Sequence, residues 1–443
     1  MNEVRLGDAT EKIGSGATPR GGERVYRSSG VPFVRSQNIY NDGFIPEGLV
    51  FIDDQHAEEL DYVTVRHGDN LVDITGESVA RTCLAPNSLE GARVSQHVAI
   101  VRGSPAKVDS RFLHYALVSP AVQSEMLSLA AAGATRQALT KSMIEDLRVP
   151  CPPLAEQRAI ARVLGSLDDK IELNRRMNQT LEEICRALFK FWFVDFGPVR
   201  AKKEGRWKKG QSLPGMSADM WDLWPSEFED SQLGEIPKGW TVEPMESLCS
   251  SIANGGTPRR GEPKYWDGGR ISWFKTGELR DAPLVDSEER ITEDGLRNSA
   301  CQLWKPDTIL IALYASPTVG RLGLLKTEGT ANQACSALIA RHEVGYAFLF
   351  QTLLSAREAL VQIAVGSAQQ NISQEVVRNH LVLVPTTQLT SQFQVRAAPL
   401  YDEMTLGKQQ SSTLSLIRDA LLPKLLSGEI RVPLNKAQEA NTA

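Results

Sequence analysis

The chain alternates short apolar runs with polar loops over its first 150 residues, and does so again from about residue 240. After each stretch the periodicity changes to that of a helix. In the first stretch "VPFV" from Val31, "NLVDI" from Asn70 and "HVAIV" from His97 read as buried strands. In the second, "ISWF" from Ile271, "TILIAL" from Thr308 and "CSALI" from Cys335 hold the matching places. The helical stretch from "PPLAEQRAIARVL" steps alternately by four and three through Ile160, Leu164, Leu167, Ile171, Asn174, Asn178, Leu181, Cys185 and Leu188. This is a sustained coiled-coil-like seam with a polar centre. Pro153 suits a first helical position and Glu156 the positive helix start. A rod of about 40 residues would be on the order of 60 Å long. A second, weaker seam runs through Phe393, Ala397, Leu400, Met404, Gly407, Ser411, Leu414, Arg418, Leu421 and Leu425. Antiparallel pairing of the rods would set Asn174 and Asn178 near Gly407 and Ser411, a polar centre able to fix register. Pro399 and Pro423 are expected to interrupt or bend the second rod.

The two strand-rich stretches are copies. "IGSGATPRGGERVY" from Ile13 and "IANGGTPRRGEPKY" from Ile252 share eight of fourteen residues, where an unrelated pair would share about one. The likeness continues beyond this turn. Arg35-Ser36 and Lys275-Thr276 each follow an apolar strand, and Arg81 and Arg321 each close the polar loop after the next strand. "GATRQALT" from Gly133 parallels "GSAQQNIS" from Gly366, each leading to a strand that ends at proline. The chain therefore duplicates a mixed α/β module of roughly 150 residues, a common domain size.

Composition adds exclusions. With 443 residues, 42% hydrophobic and 23% charged, two to three domains with real cores are expected. No run approaches the roughly 18 to 20 apolar residues of a membrane span, and "MNEVRLGDATEK" lacks a signal-peptide core. A cytoplasmic location without membrane contact is expected. The six cysteines (Cys83, Cys151, Cys185, Cys249, Cys301, Cys335) are scattered without CxxC spacing, which favours buried free thiols over zinc or disulfides. The net charge of −5 argues mildly against a stand-alone nucleic-acid binder. The one dense basic cluster, "RAKKEGRWKK" from Arg200, reads as a solvated connector or a phosphate-contacting arm.

No chemistry-bearing motif is present. The sequence lacks GxxxxGK[ST], HExxH, GxSxG and a strand-borne GxGxxG, and its six histidines lie apart. No catalytic residue, metal ligand or cofactor is assigned. Duplicated modules held apart by helices could instead read two segments of one DNA. A rod of this length suits segments about one helical turn, or 34–36 Å, apart. The loops carry fitting side chains: arginine for phosphate or guanine, glutamine for adenine, serine or threonine for either.

The pattern resembles the specificity subunits of type I restriction–modification enzymes. The twin "TPR" turns at Thr18 and Thr257 carry the resemblance, with "PPLAEQRAIARVL", "LDDKIELN", "FVDFGPV", "FEDSQLGEIPKGW" and "LIRDALLPKLLSGEIRV". It implies two target-recognition domains, each reading half of a split DNA sequence, separated by two long antiparallel helical spacers with pseudo-two-fold symmetry. It also implies docking of two methyltransferase subunits that use S-adenosylmethionine, and of restriction subunits that use ATP and magnesium; none of these cofactors belongs to this chain. The divisions expected are recognition domains at 1–151 and 237–385, helical spacers at 152–196 and 386–432, a linker at 197–236 and a disordered tail at 433–443. The second rod opens "VPTTQLTSQ" instead of "PPLAEQ", so its partner docking need not equal the first. The DNA-binding residues chosen are Thr18, Arg20, Arg35, Ser36, Arg81, Arg136 and Gln137 in the first module. In the second they are Thr257, Arg259, Arg260, Lys275, Thr276, Tyr314, Arg321, Gln369 and Gln370. Two alternatives are a self-contained DNA-modifying enzyme and a protein-interaction scaffold.

Overall fold

The computed structural model describes residues 2–132, 137–314, 317–365 and 371–433. They form two compact units, one of residues 1–171 with 413–443 and one of residues 172–412.

In the first unit a four-stranded antiparallel sheet runs in the order Thr10–Ser15, Val98–Gly103, Asn70–Asp73, Thr82–Leu84. Its strands are buried on both faces. Leu71 and Ile100 turn into one cluster with Phe33, Val34 and Cys83. Val72, Ala99 and Val101 turn into another with Phe112, Leu113 and Met126. A small second sheet pairs Val31–Val34 with Val50–Ile52 and, in parallel, with Arg93–Val94. A terminal pair, Glu3–Arg5 with Arg148–Pro150, brings the module's ends together.

The second unit repeats each element. Cys249–Asn254, Cys335–Ala340, Ile309–Ala312 and Leu322–Leu325 follow the same order, with Ala282–Leu284 added at the edge. Ile271–Phe274 pairs with Glu289–Ile291 and, in parallel, with Gly329–Ala331. Thr241–Pro244 pairs with Leu381–Val384. The likeness reaches single hydrogen bonds. Ala80 and Gly320, both at positive φ, donate to Asp73 and Ala312 across the same hairpin.

The first long helix is Leu154–Phe189 and the second Thr387–Ser427. In the first unit Ile160 and Leu164 are buried with Leu422, Leu425 and Leu426, and Leu421 packs against them. Arg418 reaches Asp168 at 3.0 Å. Leu167, Ile171 and Leu414 are half-buried. In the second unit Asn174 is fully buried. Its amide donates to the Gly407 carbonyl at 3.3 Å, Gln410 Oε1 at 3.1 Å and Ser411 Oγ at 3.3 Å. Asn178 donates to the Met404 carbonyl at 3.1 Å. A Cβ on Gly407 would lie 2.8 Å from Asn178 Oδ1, so glycine makes room for that amide. Partner numbers fall as residue numbers rise, so the helices run antiparallel. Leu181 is half-buried against the core of this unit.

The expected interruption of the second rod is corrected. Neither Pro399 nor Pro423 interrupts the second helix. Both prolines are exposed, as are Val395 and Asp419, so the carbonyls left without a donor face water. The linker at 197–236, a partly ordered connector, packs by its tryptophan-rich stretch. It forms the helix Gly197–Lys203 and a short turn Ala218–Leu223, and Val199, Trp207, Met220 and Trp224 are buried. Lys202 of the basic cluster donates to the Trp221 and Trp224 carbonyls at 2.9 and 2.5 Å. Residues 434–443 of the expected tail lie outside the described residues.

The start of each long helix is tied down by one buried polar side chain. Gln157 is fully buried. It accepts from the Asp109 N–H at 2.8 Å and donates to the Pro152 and Lys107 carbonyls at 2.8 and 3.1 Å. In the second unit, Thr390 donates to the Glu343 carbonyl at 2.9 Å from the corresponding place. The loss of "PPLAEQ" is thus matched by a shorter side chain doing part of the same work. Gln157→Leu would strand a buried N–H and two carbonyls. We expect it to lower stability by about 3 kcal/mol or more, measured by urea unfolding, whereas Thr390→Val should cost roughly 1–2 kcal/mol.

Candidate nucleic-acid interface

Each module presents an open groove beside the loop that follows the first strand of its small sheet; the two grooves share positions 35–37 and 275–277 and are otherwise lined by non-equivalent residues. In the first module the groove is lined by Arg35, Ser36, Gln37, Tyr40, Ser78 and Arg81, with Glu77 at its side. In the second it is lined by Thr257, Arg260, Lys275, Thr276, Glu288 and Gln333, over Trp273. The loops are set by matching turns. The Arg35 N–H donates to Asn38 Oδ1 at 3.2 Å, and the Lys275 N–H donates to Glu278 Oε1 at 2.8 Å.

The twin turn gives Thr257 and Arg260 to the second groove and no residue to the first, and in both modules its glycine is required by space. Gly16 N–H donates to the Val98 carbonyl at 2.8 Å, and a Cβ there would lie 2.1 Å from the Val94 oxygen. Gly255 N–H donates to the Cys335 carbonyl at 2.9 Å, and its Cβ would lie 2.2 Å from the Asn332 oxygen. Pro19 and Pro258 are buried. Thr18, Arg20 and Arg259 stand outside the groove lining. The side chains of Thr18 and Arg20 are exposed and make no hydrogen bond or ion pair among the described residues. Thr257 differs from its twin, because its hydroxyl donates to Gln333 Oε1.

Four of the cations chosen from the sequence, Arg35, Arg81, Arg260 and Lys275, are held in place by their neighbours. Arg35 donates to the Gly48 carbonyl at 2.9 Å and lies 5.3 Å from the Tyr26 ring centre. Arg81 stacks over Tyr40 at 4.7 Å. Arg260 lies against Trp266 and Trp273, at 3.9 and 4.6 Å, and pairs with Glu289. Lys275 sits between Glu288 at 2.8 Å and Glu289 at 3.1 Å, and these carboxylates raise its pKa. Arg260 holds the pKa of Glu289 down. The second groove is therefore a mixed field of donors and acceptors. Fixed guanidinium groups suit guanine or phosphate, and carboxylates suit the amino group of cytosine.

Tyr314 does not line the groove but donates to the Gln333 carbonyl at 2.7 Å, supporting that residue from behind. Arg321 is half-buried and stands apart from the lining, unlike its counterpart Arg81. Gln137 is exposed, and its carbonyl accepts from Gly76. Arg136, Gln369 and Gln370 lie outside the described residues. Sequence reasoning passed over Gln37, Tyr40, Glu77, Ser78, Glu288 and Gln333. Only Gln333 had a visible signal, the glutamine that opens the strand in both repeats as Gln96 and Gln333.

Among the described residues no group of three or more His, Cys, Asp or Glu could hold a metal ion. The six cysteines are unpaired, and all but Cys151 are buried. No helix among the described residues is long and apolar enough to cross a membrane.

Two copies of one mixed α/β module, each with a polar groove at the loop after the first strand of its small sheet, and two antiparallel long helices define a two-site recognition protein. The type I restriction modification DNA specificity domain matches residues 1–183 and again residues 237–393. The chain belongs to that family and is a non-catalytic specificity subunit of a type I restriction–modification system. The MjaIX specificity subunit of Methanocaldococcus jannaschii is 24% identical over 95% of this chain and 91% of its own length. The HindI specificity subunit of Haemophilus influenzae is 24% identical over 90% of this chain and 94% of its own. The crystal structure of a type I S subunit from M. genitalium shares the fold, with a TM-score of 0.55 and 14% identity over 96% of both chains.

Proposed function

We propose that each module reads one half of a split double-stranded DNA target, and that the long helices dock two methyltransferase subunits. S-adenosylmethionine belongs to those subunits, while ATP and magnesium belong to restriction subunits that join the complex. The observation that carries this reading is the duplicated module, with a polar groove at the same loop in each copy and an unlike lining around it. The backbone frame is the same, but Arg35, Ser36 and Arg81 stand in one and Arg260, Lys275, Thr276 and Gln333 in the other. Equal scaffolds with different side chains suit two different half-sequences. Docking is supported by large apolar side chains left exposed on the helices in pairs eleven residues, or about three turns, apart. Leu173 and Ile184 are 55% and 48% exposed, and Val395 and Leu406 are 66% and 58% exposed. The cytoplasm, where such a complex would meet DNA, is the location this reading assigns.

The salt dependence of DNA binding tests it. Affinity of the complex assembled with its methyltransferase subunits should fall linearly in a log–log plot against salt. Each phosphate contact should contribute about −0.9 to the slope, so a total of several units is expected. A flat plot would favour a protein-interaction scaffold. Cleavage or methylation by the purified chain alone would favour a self-contained enzyme.

A further inference from the structure

The first groove has a feature beneath it that the second lacks. Asp73 ends the strand Asn70–Asp73 and is fully buried. Both of its carboxylate oxygens are buried, and the Ser36 and Ser78 hydroxyls directed at them fall short of full hydrogen-bond geometry. Its main chain closes the hairpin, with its N–H donating to the Arg81 carbonyl at 2.8 Å and its carbonyl accepting from Ala80 at 2.8 Å. In the second module Ala312 closes the same hairpin with the same two bonds, to Arg321 and Gly320. The frame therefore needs no carboxylate at this position. Burying one so poorly partnered is costly, and alanine would avoid that cost.

The groups around Asp73 point to its use. The Ser36 and Ser78 hydroxyls face it and ease its charge, as does the Arg81 guanidinium. All three of these residues line the groove. From the adjoining strand only the Cys83 thiol faces it, and burial holds that thiol protonated. Burial also pushes the Asp73 carboxyl up to about 7.

We propose that Asp73 is a positioning residue for base readout in the first module. Its carboxylate draws the Ser36 and Ser78 hydroxyl hydrogens inward and so turns their oxygens toward the DNA as acceptors. Acceptors at this place select a base that offers an exocyclic amino group in the major groove, adenine or cytosine. The proposal rests on the reading of the groove as a DNA half-site. Asp73→Asn would donate to the serines and reverse their polarity, and Asp73→Ala would leave them free to rotate.

The test uses the full chain assembled with its methyltransferase subunits and duplexes varied one position at a time in both half-sites. Asp73→Ala, Asp73→Asn and Ser36→Ala should each lose about tenfold or more in discrimination at one or two first-half positions, with the second half unchanged. The thermal midpoint of Asp73→Ala should equal or exceed that of the wild type. A carboxyl with a folded pKa above its unfolded value binds more protons when folded. Wild-type stability therefore falls as pH rises from about 4 to about 7, and the gain from Asp73→Ala should be larger at pH 8 than at pH 5. First-half discrimination by the wild type should grow between pH 6 and 8 as the carboxylate ionises, and should be flat in Asp73→Asn. Unchanged discrimination in Asp73→Ala would overturn the proposal, leaving the half-site reading intact. So would a loss in both halves that tracks a lower thermal midpoint. A wild-type complex indifferent to every base of the first half would instead overturn the half-site reading itself.

Discussion

Gly16→Ala should abolish recognition of one half of the DNA target while the other half is still read, and Gly255→Ala should do the reverse. The reason is the closest packing found at any equivalent pair of positions in the two modules. An added methyl group at Gly16 would stand 2.1 and 2.4 Å from the Val94 and Ser95 carbonyl oxygens. At Gly255 it would stand 2.2 and 2.4 Å from those of Asn332 and Ala331. Backbone oxygens cannot rotate aside as a side chain can, so the turn itself must move. Moving it loosens the bonds from Ala17 to Val94, at 3.0 Å, and from Gly256 to Ala331, at 2.9 Å. Those bonds hold the strands Arg93–Val94 and Gly329–Ala331, the first of which pairs beside Arg35 and the second of which leads to the groove residue Gln333. Overpacking of this kind costs about 3 kcal/mol or more, or roughly 6–12 °C in thermal midpoint for a unit of this size. Gly14→Ala is the control. Its Cβ meets nothing within 4 Å, so calorimetry and half-site binding should both match the wild type. Equal loss of both half-sites from either glycine variant would contradict the modular account.

Much of the architecture was legible because it repeats or because it is periodic. The twin turns exposed the duplication, and the duplication located the loops at Arg35 and Lys275 that line the grooves. The four-and-three stepping located both long helices, and the antiparallel alignment brought Asn174 to Gly407 and Ser411. What could not be read depends on which distant groups meet. Arg260 looked like a free cation in a basic turn. In the fold it rests on Trp266 and Trp273 and pairs with Glu289, from a strand about 30 residues on. Glu77 and Ser78 enter the first groove from a loop that repeats in place but not in residues, and Glu288 enters the second from a loop without a matched stretch. The proline effect was misjudged because exposure of the orphaned carbonyls, not the presence of proline, decides whether a helix tolerates it. The segment after Phe196 reads as a connector, and the surface its tryptophans pack on is not visible in the sequence. Trp207, Trp224 and Trp240 become buried only against residues supplied by the helices and the second module.

The second large effect concerns the modules as wholes. Residues 1–150 carry every lining residue of the first groove and none of the second. Replacing them with the same segment of a relative keeps the Gln157 anchor and the paired helices but supplies a new set of groove side chains. Discrimination against a wrong base is worth about 1–3 kcal/mol per position, so several altered positions should move methylation entirely to a new half-sequence. The direct measurement is a genome-wide map of methylated bases in cells that express the exchanged chain with its methyltransferase subunits. The account predicts a split target in which one half is new and the other, along with the spacing between them, is unchanged. A map in which both halves change, or neither does, would contradict it.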